Sequence, residues 1–141
     1  MKRHYIIASH STLSAGMADV LHFFAGSTNN LDINVITAYV DNKPIDEEIK
    51  DIFAGVALED EVIVLTDIMA GSVNQKLFPY ISRQHTHILT GMNLPLALAL
   101  VMEPSKDYLT EERVQQLVDE SRTQLAYMNT INQDSEDEED E

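Results

Sequence analysis

The apolar positions of this chain fall into two kinds of run. Tyr5-Ile6-Ile7-Ala8, Ile33 to Val40 and Val62 to Thr66 are short, nearly unbroken and rich in β-branched side chains. That is the pattern of strands covered on both faces in a parallel sheet. Between them, apolar residues recur at spacings of three and four. Leu13, Met17, Val20, Leu21 and Phe24 predict a helix from about 13 to 24 with that stripe buried, and Ile45, Ile49, Ile52, Phe53 and Val56 predict a second. Pro44 suits the first position of the second helix, and Asp46, Glu47 and Glu48 suit the positive end of its dipole. A third helix is expected over about Val73 to Arg83 and a fourth strand over His85 to Gly91. Asn93-Leu94-Pro95 then opens a short apolar helix that fades by Glu103-Pro104. Thr110 can cap a final helix whose buried side would be Val114, Leu117, Val118, Leu125 and Met128.

Strands that alternate with helices predict an α/β fold: a doubly wound, mainly parallel four-stranded sheet of order 2-1-3-4, with helices on both faces and right-handed crossovers. In such sheets the ligand crevice lies beyond the carboxyl ends of the strands, where the strand order reverses. His10 ends the first strand and Asp67 follows the third, so this topology makes them neighbours.

An imidazole can accept a phosphoryl group when one ring nitrogen offers a lone pair and the other keeps its proton against an acceptor. Asp67 is that acceptor in this reading, fixing the tautomer of His10 and balancing positive charge on the ring. Gly71 and Ser72 open the third helix, where backbone N–H groups and a hydroxyl suit an anion and glycine permits close approach. Each residue also has a plainer role open to it: His10 as a packing or capping residue, Asp67 and Ser72 as caps of loop and helix. Their meeting at one crevice favours the chemical role.

Other chemistries fit less well. His85 and His87 stand two apart on a strand, but no third ligand of matching type lies nearby in sequence, so no metal site is read there. His4 and His22 are expected at the surface or an edge. Ser9 and Ser11 lack the G-x-S-x-G elbow of a hydrolase. No acidic residues follow the first strand to hold magnesium as in a receiver domain, and no aromatic residues stand where a flavin ring would be sandwiched. No cofactor is called for.

The 141 residues are 44% hydrophobic, enough for one core, and a single domain over 1–130 is expected. The absence of cysteine excludes disulfides, thiolate nucleophiles and cysteine-based zinc sites. The formal charge is −15, but seven of the 24 acids lie in Asp134–Glu141, and without them 9 bases face 17 acids. Residues 131–141 are therefore expected to be a disordered, self-repelling acidic tail. With no basic stripe to displace counterions, no nucleic-acid partner is expected. The longest apolar run, Leu94 to Met102, is about half the length of a bilayer span. The N-terminus runs straight into a strand, and a cytoplasmic location is expected.

Three stretches carry a family resemblance. Ala8-Ser9-His10-Ser11 through Gly16 resembles S-H-G-x-x-A-x-G, Thr66-Asp67-Ile68-Met69-Ala70-Gly71-Ser72 resembles T-D-x-x-G-G-S, and Gly91-Met92-Asn93-Leu94-Pro95 resembles G-x-N-L/I-P. With their spacing they are similar to the enzyme IIA component of the mannose family of the bacterial sugar phosphotransferase system. Ser11 and Ala70 stand where that pattern has glycine. The resemblance implies a phosphocarrier: His10 would take a phosphoryl group from phospho-HPr and pass it to a histidine of a IIB component, with membrane IIC and IID components engaged indirectly. It also implies Nε2 as the phosphorylated atom, with Asp67 orienting the ring, and a homodimer in which a further strand is exchanged between subunits. The alternatives are the related carrier that feeds dihydroxyacetone kinase and a regulatory or binding module that keeps the fold. Neither reading names a sugar.

Overall fold

The computed structural model describes residues 1–26 and 31–131. The acidic tail expected over 131–141 lies, from 132 onward, outside the described residues. Strands β1 (Arg3–His10), β2 (Ile33–Ala38), β3 (Glu61–Thr66) and β4 (Thr86–Leu89) pair in parallel in the order β2-β1-β3-β4. Helices α1 (Leu13–Ala25), α2 (Ile45–Ala54), α3 (Ser72–Leu77), α4 (Leu94–Val101) and α5 (Glu111–Arg122) connect and follow them. The doubly wound architecture and the strand order are those the hydrophobic pattern predicts.

Alternation along the central strands makes two cores. Tyr5 and Ile7 of β1 and Ile63 and Leu65 of β3 pack with Leu21 of α1, Leu96 and Leu100 of α4 and Leu117 of α5. Ile6, Ala8, Val62 and Val64 point the other way, against Ile49 of α2 and Val73 and Leu77 of α3. Both faces of β1 and β3 are therefore dry, which is why those strands read as unbroken apolar runs.

The strand β1 starts two residues before its apolar run, and this overturns the expected placement of His4. His4 is 6% exposed rather than at the surface. Its Nε2 lies 2.9 Å from Asp60 Oδ2 and its Nδ1 3.2 Å from Asp32 Oδ2. Arg3 is buried too: its guanidinium pairs with Glu61 and donates to the carbonyls of Glu103 (3.0 Å) and Asp107 (3.1 Å). The second oxygen of Glu61 accepts the Leu109 N–H at 2.7 Å. Charged groups enter the sheet here because each meets a partner: carboxylates and carbonyls for Arg3 and His4, the guanidinium and the Leu109 N–H for Glu61.

Four other expectations shift. In α1 the buried residues are Ser14, Ala18, Leu21 and Ala25, while Leu13 and Phe24 are more than half exposed. Small side chains face the sheet and let the helix lie close to it, with Ser14 Oγ donating to the Ile36 carbonyl at 2.7 Å. The third helix is divided: α3 ends at Leu77 and Phe78–Ser82 continues as a 3-10 turn, because Pro79 lacks the N–H an α-helix needs there. That turn is pinned by Tyr80, stacked on Phe53 of α2 with centroids 4.1 Å apart. His85 and His87 have separate contacts. His85 leaves the strand at φ 56 and stacks on Tyr108, whereas His87 Nε2 lies 3.1 Å from the Leu109 carbonyl. Finally α5 stops at Arg122, so Leu125 and Met128, expected on its buried side, fall beyond the packed face and are exposed.

Candidate functional site

Register brings the predicted pair together. Ala8 of β1 sits opposite Thr66 of β3, so the two strands leave the sheet side by side, His10 at the end of one and Asp67 just after the other. Asp67 Oδ2 accepts the Nδ1–H of His10 at 2.7 Å and the backbone N–H of the same residue at 2.8 Å. Its other oxygen accepts the Ile68 N–H at 3.0 Å. An ionised carboxylate only accepts, so the neutral ring carries its proton on Nδ1 and its lone pair on Nε2. The ring is 39% exposed and the carboxylate 9%. The pair thus presents imidazole to solvent and keeps the anion behind it.

Burial by itself raises the Asp67 carboxyl pKa. The backbone N–H of His10, its ring Nδ1–H and the Ile68 N–H outweigh that and hold it below the usual carboxylate range.

Gly71 and Ser72 stand on the far side of the ring. Ser72 Oγ lies 3.4 Å from His10 Nε2. Gly71 has an ordinary φ of −78, so glycine is needed here for room rather than for conformation. A Cβ would sit 3.0 Å from His10 Cε1 and 2.8 Å from Ile68 Cγ1. The Gly71 N–H is taken by the Ile68 carbonyl at 3.2 Å. Donors for an anion are therefore the Ser72 hydroxyl and the N–H groups that open α3. Asn74 braces the loop, accepting from Thr66 Oγ1 at 2.9 Å and donating to the Met69 carbonyl at 3.0 Å.

The turn after β1 is built without glycine. Ser11 takes φ 55, the left-handed region, while its N–H donates to the Ala38 carbonyl at 2.9 Å. Ala70 is not among the residues with positive φ, so a side chain there costs nothing in backbone strain. Thr12 at the start of α1 makes no side-chain cap; the buried Ser9 hydroxyl accepts the Ser14 N–H at 2.8 Å instead.

Sequence reasoning missed Tyr39. Its ring lies 5.5 Å from that of His10 and its hydroxyl hydrogen-bonds Ser72 Oγ. A signal was present: Tyr39 follows the residue paired with His10 across the β1–β2 register, so it stands at the carboxyl end of a strand flanking the crevice.

Two outcomes test this geometry. Because the folded Asp67 pKa is depressed, its stabilising contribution is fully present above the unfolded carboxyl pKa and is lost as pH falls through the lower folded value. Asp67→Asn should cost about 1 kcal/mol at neutral pH, with the gap from wild type closing under acid; urea unfolding at several pH values measures it, and a pH-independent gap contradicts the assignment. Ser11→Gly should stabilise the fold by about 0.5 to 1 kcal/mol, since relief of left-handed strain exceeds the added freedom of the unfolded chain. A lower urea midpoint for that variant would count against the strain.

Comparison with known proteins identifies the family. Residues 4–118 match the family model described as the PTS system fructose IIA component. No curated protein matches the sequence. Among solved structures, a provisionally named phosphoenolpyruvate-dependent sugar phosphotransferase system permease from Klebsiella pneumoniae is 35% identical, with 92% of this chain and 93% of that one covered and a TM-score of 0.82. The IIA protein associated with the fucose utilization operon of Streptococcus pneumoniae is 24% identical over 92% of this chain and 96% of its own, at TM-score 0.73. The mannose/sorbose-specific IIA subunit from Enterococcus faecalis is 18% identical over 90% and 95%, at TM-score 0.70; these last two share the fold. The chain belongs to the fructose and mannose type IIA family of the sugar phosphotransferase system, whose members are phosphotransfer components.

Proposed function

We propose that residues 1–130 form a phosphocarrier domain in which His10 Nε2 accepts a phosphoryl group from phospho-HPr and passes it to a histidine of a IIB component. The observation that carries this reading is the 2.7 Å bond that points the Nδ1 proton at Asp67 and leaves the lone pair on Nε2 of a ring that is 39% exposed. As the phosphorus–nitrogen bond to the donor imidazole breaks, the bond to Nε2 forms and the donor ring keeps its electron pair. His10 becomes positively charged while still bonded through Nδ1–H to Asp67, so the carboxylate stabilises the phosphorylated state. Ser72 and the opening N–H groups of α3 supply donors to the phosphoryl oxygens, and Gly71 keeps the space beside Cε1 open. Both transfers need protein surfaces over the crevice. Ile68 and Met69, both more than half exposed beside the site, are the docking contacts.

Among the described residues no helix is long and apolar enough to cross a membrane. This fits a carrier that works in the cytoplasm and reaches membrane IIC and IID components only through IIB. We assign the same protein a homodimer with an exchanged strand. Among the described residues β4 pairs on one side only, with β3, and Leu125, Tyr127 and Met128 are apolar side chains left in solvent. Sedimentation should give a dimer for the full chain and a monomer after truncation at residue 122; a monomeric full chain would remove the exchange.

Incubation with phosphoenolpyruvate, enzyme I and HPr should label wild type with an acid-labile, alkali-stable phosphate, and His10→Ala should lose the label entirely. Label persisting in His10→Ala would sink the assignment. Adding IIB components in one series and dihydroxyacetone kinase in another identifies the acceptor: discharge by the kinase alone would replace the sugar-uptake role with the kinase-feeding one.

A further inference from the structure

The geometry points to Tyr39 as a positioning residue for phosphoryl transfer: its hydroxyl fixes the direction of the Ser72 proton, so that Ser72 donates first to Nε2 and then to the phosphoryl group. This rests on the carrier reading of His10 and adds to it a residue from a third strand end.

Proton accounting leads to it. Asp67 holds the Nδ1 proton, so Nε2 is an acceptor, and the group within reach of it is Ser72 Oγ at 3.4 Å. Serine has one proton to give. If it points at Nε2, the serine oxygen must act as acceptor toward Tyr39, whose hydroxyl then donates. The order Tyr39 O–H to Ser72 O–H to Nε2 is the arrangement that satisfies all three groups. Each donation polarises the next.

Transfer keeps this order. The phosphorus–nitrogen bond of the donor imidazole breaks while that to His10 Nε2 forms, the electron pair stays on the donor ring, and both hydroxyl protons remain on their oxygens. A phosphoryl group on Nε2 offers only acceptors where the lone pair had been. Ser72 turns its proton to a phosphoryl oxygen, and Tyr39 still donates to Ser72. Without the Tyr39 hydroxyl, the Ser72 proton is directed only by the long 3.4 Å contact with Nε2, and it competes with solvent for that direction.

The backbone supports a specific role. Tyr39 has φ 68, an outlier for a bulky residue, although its side chain is largely exposed at 68% and no core packing demands the strain. Strain of that kind persists where the surroundings hold it. Here the contacts on Tyr39 are the His10 ring and Ser72.

Rapid-quench transfer from phospho-HPr to wild type, Tyr39→Phe, Ser72→Ala and the double variant tests the relay. Tyr39→Phe keeps the ring and should slow kcat about fivefold, the effect of one polarising hydrogen bond, with KM for phospho-HPr unchanged. In the Ser72→Ala background it should cause no further loss, because Tyr39 acts through that hydroxyl. A wild-type rate in Tyr39→Phe, a change confined to KM, or independent multiplicative losses in the double variant would each overturn the relay while leaving His10 as carrier. Failure of wild type itself to take label would overturn both.

Discussion

The parallel pairing of β1 with β3 is the constraint on which the rest depends. Ala8 opposite Thr66 fixes how far each strand extends before it turns. A slip of one residue would send Ile6 and Ile7 to each other's faces and carry His10 away from Asp67 at the same time. The two dry cores and the 2.7 Å imidazole–carboxylate bond are thus consequences of one register. Packing, which is nondirectional, is made to serve a directional contact.

Charge is handled differently at the two ends of the sheet. At the amino ends Arg3, His4, Asp60 and Glu61 are buried or nearly so, and their bonds run to one another and to backbone carbonyls and N–H groups. Breaking one partner there would strand a charge in a medium of low dielectric, so the cluster also fixes the loop from Glu103 to Leu109. At the carboxyl ends the polar groups are left with capacity to spare. His10 keeps an open Nε2 and Ser72 a reorientable hydroxyl, and the ring that bears the chemistry is the more exposed member of its pair.

Of the three non-glycine residues with positive φ among the described residues, two stand at that same end, the third being His85 just before β4. Ser11 and Tyr39 both have positive φ, and they follow the ends of adjacent strands, β1 and β2. The Ser11 N–H bonds the Ala38 carbonyl, so the two turns are tied to each other. Left-handed conformations at non-glycine residues are costly, and at Tyr39 the strained turn sets a ring beside the imidazole. Gly71 makes the complementary contribution: it leaves out a side chain where His10 and Ile68 need the volume.

Much of this was legible in the residues alone. Strands covered on both faces announce themselves as apolar runs, helices by their spacing, and a parallel sheet directs attention to strand ends, which is how His10, Asp67, Gly71 and Ser72 could be named together. What the linear order could not give were features that depend on a partner distant in sequence. His4 looks like a surface residue until Asp32 and Asp60 are beside it. The stripe on α1 rotates because the sheet accepts Ser14, Ala18 and Ala25 at close range. Tyr39 is one more strand-end aromatic until the register sets it one residue past the partner of His10 and within reach of Ser72. The sequence by itself determined the elements, their order and the residues that meet at the crevice, because local periodicity and burial encode them. Tertiary structure alone decided which proton faces which lone pair, since that direction arises only when three strand ends converge.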